Sequence, residues 1–418
     1  MNRYSVNNNQ NILIIVDHKH RDLPTLSLIG YHLEKYGHRI TYSPTGFVME
    51  NFAEINPDVI IIPKPSYSYV NQMQWKLEGR KIIVIESEGN NQDKFFEYNI
   101  VVFPDLYIFW NDEVKSIYEK KFIKNNVNYM VKGFPRSDFF LEPLKHIFNK
   151  EKIKSSLGIK NENKILTIAL STQDSNFSNK RLEERKKRHN RKTKKSTNYY
   201  ENIINRKKLK KITSEFLISA SKKYGNKINF VIKPHPHESV LYWYDLLKKN
   251  KLKNCYLMVG KAINDLLAIS DLHMAHNCCT TIPEAMMHGK KTIDLQTDQS
   301  PNLFSLEHLN IADYKVTTSK EILEILEIFL KKIDKKMNNK RIDEYVKKYF
   351  TVFNGKICKS YASSIDKFLR NPNNEKNNLN FTNRIKLKTF QFFLKLRNKA
   401  MFIRTAKNNK IVEEVNRP

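Results

Sequence analysis

The sequence predicts an α/β protein of two Rossmann-like lobes with an interlobe cleft, followed by a basic C-terminal helical tail. Three observations carry this expectation. The chain has 418 residues, more than a single hydrophobic core ordinarily organises. Short β-branched runs alternate with helical patterns, which is how strands buried on both faces by helices read. That alternation occurs twice, over residues 1–150 and 151–370, before the composition turns polar and basic over 371–418.

In the first lobe, residues 11–17 form a β-branched run, followed by a helical pattern over 22–36 and a turn at Gly37. Strands are expected over 39–42 and 59–62, the second entered through Asn56-Pro57-Asp58. A helix over 69–78 leads to a strand over 81–85, and further strands are expected over 99–102, 106–109 and 128–131. The second lobe opens with a strand over 164–170. It continues with a helix over 208–223, a strand over 228–232, a helix over 240–249, a strand over 255–259 and a helix over 262–269. Strands over 271–274 and 292–295 flank a helix over 282–288, and helical patterns dominate from 319 to 370. Residues 178–207 read as a solvated insertion of the second lobe. Residues 371–380 read as a linker, and residues 382–405 as a last basic helix.

Composition narrows the class. Hydrophobic residues make up 40% of the chain, enough for globular folding. Cys255, Cys278, Cys279 and Cys358 have no metal-ligand spacing, so free thiols in a reducing compartment are expected. The opening Met1–Gln10 is polar, and the apolar run Ile12–Val16 is too short for a signal peptide or a span, which predicts a cytoplasmic protein. The net charge of +30 is concentrated. Residues 180–211 hold 15 Lys or Arg against 3 Glu, and residues 366–418 hold 13 against 4 acids. Such segments suit an anionic surface, either a membrane leaflet or nucleic acid. The first has little aromatic interleaving beyond Tyr199-Tyr200, which argues against nucleic acid. In the tail, Ile385, Phe392, Leu396 and Ile403 lie on one helical face, while Leu387, Phe390, Leu394 and Met401 form a second. Peripheral attachment to the inner face of the membrane is the leading reading of this tail, against packing on the protein itself or on a partner.

Phe230-Val231-Ile232-Lys233-Pro234-His235-Pro236-His237-Glu238 carries the most chemical information. It reads as a buried strand stopped by a proline-locked turn that holds His235 at the strand's carboxyl end, where open α/β sheets bind ligands. An imidazole there can bind a phosphate oxygen and offset charge on a departing nucleotide; the bland reading is a structural turn histidine. Lys233 and His237 are weaker candidates for the same site. Thr280 and Thr281 open a helix, where hydroxyls and backbone N–H groups favour an anion or act only as caps. Glu284, in the first turn, either stabilises the helix dipole or accepts from ribose hydroxyls. Glu86-Ser87-Glu88-Gly89 follows a strand of the first lobe and suits a general base for a hydroxyl nucleophile, with Glu88 preferred to Glu86. Arg136, after a Gly-Phe-Pro turn, can reach a phosphate or acidic sugar, or pair locally with Asp138. The polar loop Asp17–Asp22 suits an acceptor, and no set of residues has metal-site spacing.

Together these segments resemble the surface carbohydrate biosynthesis proteins. That group lies within the GT-B glycosyltransferases with a His-Pro motif, which include bacterial sialyl-, polysialyl- and Kdo-transferases and CDP-glycerol polymerising enzymes. The likeness rests on Glu86–Gly89, Gly133-Phe134-Pro135-Arg136-Ser137-Asp138, Lys233–Glu238 with Trp243 after it, and Asn277–Glu284 with Gly289. The resemblance implies a GT-B fold with the donor on the C-terminal lobe, where His235, Thr280 and Thr281 would hold the phosphate of a CMP- or CDP-linked donor and Glu284 would approach the nucleotide; Lys233, Pro234, Pro236, His237 and Arg136 complete the expected donor-binding set. It implies Glu88 as the acceptor-activating base and requires no cofactor or metal. The chain departs from the pattern at Cys278-Cys279 and at Ser87, and the insertion over 178–207 is additional.

The expectation is therefore a transferase of surface polysaccharide assembly, as in capsule or lipopolysaccharide. It would move a sugar or polyol phosphate from a nucleotide-linked donor to a glycan or lipid-linked acceptor. The alternatives are a non-catalytic scaffold of such an assembly complex, a nucleic-acid-binding protein using the basic insertion, and an epimerase or hydrolase on the same fold.

Overall fold

The computed structural model describes residues 9–45, 48, 52–64, 67, 69–86, 104–121, 127–173, 175, 178, 180–184, 199–235, 238–276, 279–298, 311–331 and 339–371. The chain divides into two compact units, one formed by residues 1–133 with 358–418 and the other by residues 134–357.

The N-terminal unit is a parallel six-stranded sheet of β1 (Asn11–Val16), β2 (Arg39–Pro44), β3 (Val59–Ile62), β4 (Lys81–Ile85), β5 (Leu106–Phe109) and β6 (Asn128–Val131). The strand order is β2-β1-β3-β4-β5-β6. Strands β3 and β5 are buried at every position, so their uninterrupted apolar runs are what a doubly covered sheet demands. Leu13, Ile60, Val84 and Tyr107 pack on one face with Trp75 from the helix Tyr69–Leu77.

The sequence reading carried the second lobe to residue 370, whereas the helix Ile357–Arg370 groups from Cys358 onward with the N-terminal unit. The contacts explain why. Tyr361 donates its hydroxyl to the Gly133 carbonyl at 2.9 Å, and buried His38 meets Asp366 at 3.1 Å. Arg370 binds both Asp366 (2.6 Å) and the Tyr36 carbonyl (2.8 Å).

The C-terminal unit is also a parallel six-stranded sheet: β7 (Lys164–Ala169), β8 (Ile228–Lys233), β9 (Cys255–Leu257), β10 (Leu272–His276), β11 (Lys291–Leu295) and β12 (Tyr314–Val316). Its order is β12-β11-β10-β7-β8-β9, so the connection direction reverses between β7 and β10. One face is covered by the helices Tyr199–Tyr224 and Ser319–Leu330, through Leu209, Phe216, Leu217, Ile322 and Leu326. The other buries Val231, Leu266, Ala275 and Ile282. A capping box of Thr318 and Glu321 starts the helix Ser319–Leu330. The helix Thr281–Met287 ends at Gly289, which adopts φ +70° as a left-handed terminator.

Two expectations are corrected here. The helix assigned to 208–223 begins at Tyr199, inside the segment read as a solvated insertion. Ile203 and Asn205 are buried, and Thr297 donates its hydroxyl to Asn205. The apolar stripe of Ile203, Leu209, Phe216 and Ala220 runs upstream beneath the lysines, whose own helix propensity is good. Strand β12, only three residues long, was not anticipated. Residues 185–198, the expected strand 99–102 and the basic tail helix 382–405 lie outside the described residues.

Cys255, Cys279 and Cys358 are free thiols, and Cys278 lies outside the described residues. Among the described residues no helix is long and apolar enough to cross a membrane. None of their His, Cys, Asp or Glu side chains forms a group of three or more that could hold a metal ion.

Candidate functional site

In an open parallel sheet, loops at the carboxyl ends of strands flanking the reversal point leave a crevice for ligands. In the C-terminal unit the reversal lies between β7 and β10, and β8 is the next strand beyond β7. The carboxyl end of each carries chemistry.

Strand β8 ends at Lys233; Pro234 is buried and His235 is partly exposed beyond it. The turn closes through the Glu238 N–H, which donates to the His235 carbonyl at 2.8 Å. The Glu238 carboxylate is buried and accepts from three sources. These are the Thr172 hydroxyl, from the end of β7, the Trp243 indole N–H at 2.7 Å, and the His235 N–H at 3.4 Å. Lys210 supplies nearby positive charge. Burial pulls its ammonium down to about 8 against the opposing pull of Glu238, and its Nζ sits 3.2 Å from the Tyr242 ring centroid. Lys233, a donor-site candidate from the sequence, instead gives its Nζ to the Lys261 carbonyl at 2.6 Å. Its pKa is lowered by burial, with Asp265 acting in the other direction. Pro236 and His237 lie outside the described residues.

Strand β10 contributes two buried histidines. Ser171 N–H donates to His276 Nδ1 at 3.3 Å, which leaves Nε2 as the protonated nitrogen facing the Thr213 hydroxyl at 3.0 Å. This ties the ends of β7 and β10 together. His273 spans the Thr167 hydroxyl (2.9 Å) and the Thr281 hydroxyl (3.0 Å), so Thr281 is held by a partner beneath it. Burial lowers both imidazoles to about 3, and they are neutral at physiological pH. Thr280 is exposed at the mouth of the same helix. Asn277 and Cys278 lie outside the described residues.

Glu284 and Arg136 were read separately, one for the nucleotide and the other for a phosphate or a local pair with Asp138. The fold joins them: Arg136 Nη1 donates to Glu284 Oε1 at 3.0 Å, with both side chains largely buried. Asp138 accepts from the Ile357 N–H at 2.9 Å, anchoring the turn that carries Arg136. Arg136 lies 5.1 Å from the Phe134 ring centroid, and Phe134 stacks on Phe350.

In the N-terminal unit, Glu86 follows the last residue of β4 and is 2% exposed. It accepts from the Tyr107 hydroxyl, and its carbonyl accepts from the Trp110 indole at 3.0 Å. Glu86 therefore roots the segment that continues to Ser87, Glu88 and Gly89, all three outside the described residues. The segment Asp17–Asp22 follows β1 at this sheet's own reversal, between β1 and β3, but it is not the loop expected, because Lys19–Asp22 form the first turn of the helix Lys19–Lys35 capped by His18. It is bound up in Arg21 pairs with Asp17 (3.2 Å) and Asp22 (2.7 Å).

Thr172, Lys210 and His273 were not singled out from the sequence, and Glu238 and His276 border its informative segments without a role assigned to them. Of these only Glu238 had a visible signal, an acid between a Pro-His turn and an apolar helix.

No protein-family model matches the chain, and no curated protein matches it. Solved structures do. The wall teichoic acid polymerase TagF matches over 87% of this chain and 90% of its own, at TM-score 0.57 and 13% identity. S. aureus MnaA in complex with UDP matches over 86% and 96%, at TM-score 0.53 and 10% identity. The Methanocaldococcus jannaschii UDP-GlcNAc 2-epimerase matches over 85% and 99%, at TM-score 0.51 and 14% identity. Two Rossmann-like units with these relatives in structure define the GT-B fold, as the sequence predicted. At these identities the likeness is one of fold.

Proposed function

We propose that this chain is a glycosyltransferase of surface-glycan assembly that takes a nucleotide-linked donor in its C-terminal unit. The observation that carries the reading is the position of His235. It lies one residue past the buried Pro234 at the carboxyl end of β8, one strand from the reversal between β7 and β10, on the sheet edge where nucleotides bind in this class of sheet. Neutral His273 and His276 and buried Glu238 organise the surrounding loops. In this reading His235 and the Thr280 and Thr281 hydroxyls hold the donor phosphate, and Glu284 is oriented by Arg136. The structures similar in fold include TagF soaked with CDPG, in keeping with a cytidine-linked donor. Glu88 is the proposed base for the acceptor hydroxyl, a glycan or lipid-linked chain, so Glu88→Gln should abolish transfer while sparing nucleotide binding. The basic residues over 371–418 are the proposed contact with an anionic membrane surface, which co-sedimentation with anionic vesicles would test.

A nucleotide-sugar epimerase is the second reading, favoured by the likeness in fold to MnaA with UDP and to the Methanocaldococcus jannaschii UDP-GlcNAc 2-epimerase with UDP-GlcNAc and UDP. Titration with CMP, CDP, UDP and GDP separates the two. Selective cytidine-nucleotide binding supports the transferase, whereas selective UDP binding, with sugar isomerised in the absence of acceptor, supports the epimerase.

A further inference from the structure

The turn that presents His235 has a peculiarity of composition. Pro234 and Pro236 flank His235, and neither has a backbone N–H, so the usual ladder of main-chain donors cannot hold this segment. One main-chain bond closes the turn, from the Glu238 N–H to the His235 carbonyl, and side chains supply the rest. Glu238 is the group available: a buried carboxylate that gathers donors from the end of β7 (Thr172), from the turn itself (the His235 N–H) and from the following helix (Trp243). Burying a carboxylate is costly unless it is hydrogen-bonded and offset by charge, and an apolar side chain would fill the space at less cost. Its retention here is accounted for by geometry. One carboxylate fixes three elements relative to one another, with Lys210 as the counter-charge and Tyr242 packed against that lysine. Trp243 is fully buried in the core under the β8 face, so the carboxylate is referenced to a rigid point.

We infer that Glu238 is a positioning residue, holding the His235 turn in a single conformation through Thr172 and Trp243 so that the imidazole is presented at the carboxyl edge of the sheet. The inference rests on the donor-site reading for its purpose, but its geometric content can be tested separately. Hydrogen exchange by mass spectrometry on the full chain gives the first readout. In Glu238→Ala, amides in the peptide spanning 233–240 should exchange about tenfold faster or more, while the β8 amides over 228–232 stay protected. Glu238→Gln, which keeps the shape and one acceptor oxygen, should lie between Glu238→Ala and wild type, and it replaces the alanine variant should that fail to fold.

The second readout is a double-mutant cycle with His235→Ala, using calorimetric titration with CDP as the probe. His235→Ala should weaken CDP about tenfold in the wild-type background but less than about twofold in the Glu238 variant, because the imidazole is already misplaced there. Unchanged exchange over 233–240, or equal His235→Ala factors in the two backgrounds, overturns the inference. Should wild-type protein bind no CDP, the donor reading falls and the exchange result alone decides whether Glu238 holds the turn.

Discussion

Removing Arg136 should expose how the C-terminal unit depends on a pair that the fold assembles from distant parts of the chain. Arg136 lies in the short 3-10 turn Pro135–Phe140, and Glu284 in the helix Thr281–Met287, 148 residues away. Their side chains are 11% and 3% exposed, so solvent cannot replace the guanidinium if it is deleted. Truncating one member of such a pair leaves a desolvated charge and costs about 3–5 kcal/mol. For a unit of this size each kcal/mol moves the midpoint by about 2–4 °C, which gives roughly 6–20 °C for Arg136→Ala. Calorimetric unfolding of the full chain measures it. Adding Glu284→Gln to Arg136→Ala removes the stranded charge and should recover at least half of the loss, while Arg136→Lys should fall between wild type and alanine. A loss below about 1 kcal/mol, or a double variant no better than the single, would refute the buried-pair argument.

Three further expectations follow from the same geometry. His273 and His276 titrate near 3 when folded against about 6.5 unfolded, so the unfolded state holds more protons between those values. Stability is then fully present above about pH 6.5 and falls as pH drops, by roughly 1.4 kcal/mol per pH unit for each histidine. A urea midpoint unchanged between about pH 7.5 and pH 5 would contradict the buried neutral assignments. Asp366→Ala removes the acceptor shared by His38 and Arg370 and should cost about 1.5–3 kcal/mol. It should also loosen the helix Ile357–Arg370, read as faster hydrogen exchange there, and unaltered protection would dismiss the clasp. Tyr107→Phe leaves the buried Glu86 carboxylate without that donor. It should lower the unfolding midpoint of the N-terminal unit, and a neutral result would mean that Glu86 does not depend on Tyr107.

Much of the fold was legible because both sheets are parallel and covered on both faces. Val59–Ile62, Lys81–Ile85, Leu106–Phe109 and Asn128–Val131 are dense apolar or β-branched runs between turn residues, and the strands begin and end where those runs do. The helix Val240–Lys249 was equally plain, with Trp243 on its buried side. Legibility failed where local signals conflict. Around residues 199–207 the basic run upstream outweighed Ile203, although its burial extends the helix predicted over 208–223 back to Tyr199. Strand β12 is too short for periodicity to register. At the candidate site, His235 could be placed because two prolines and a β-branched run mark its position within nine residues. Its supports could not. Thr172 and Glu238 are 66 residues apart and Thr213 and His276 are 63 apart, and only the order β10-β7-β8 brings them together. For the same reason Glu284 and Arg136 read as two separate ligand contacts, whereas the fold pairs them with each other.

The central claim is that the carboxyl end of β8 is a nucleotide-phosphate site organised around His235. Calorimetric titration of CDP into wild-type protein and His235→Ala, under identical salt and pH, tests it most directly. Micromolar binding is expected, weakened by His235→Ala by about tenfold or more, equivalent to about 1.4 kcal/mol, with the unfolding midpoint unchanged. Equal CDP affinity in the two proteins, or no binding of CDP or CMP by either, would contradict it.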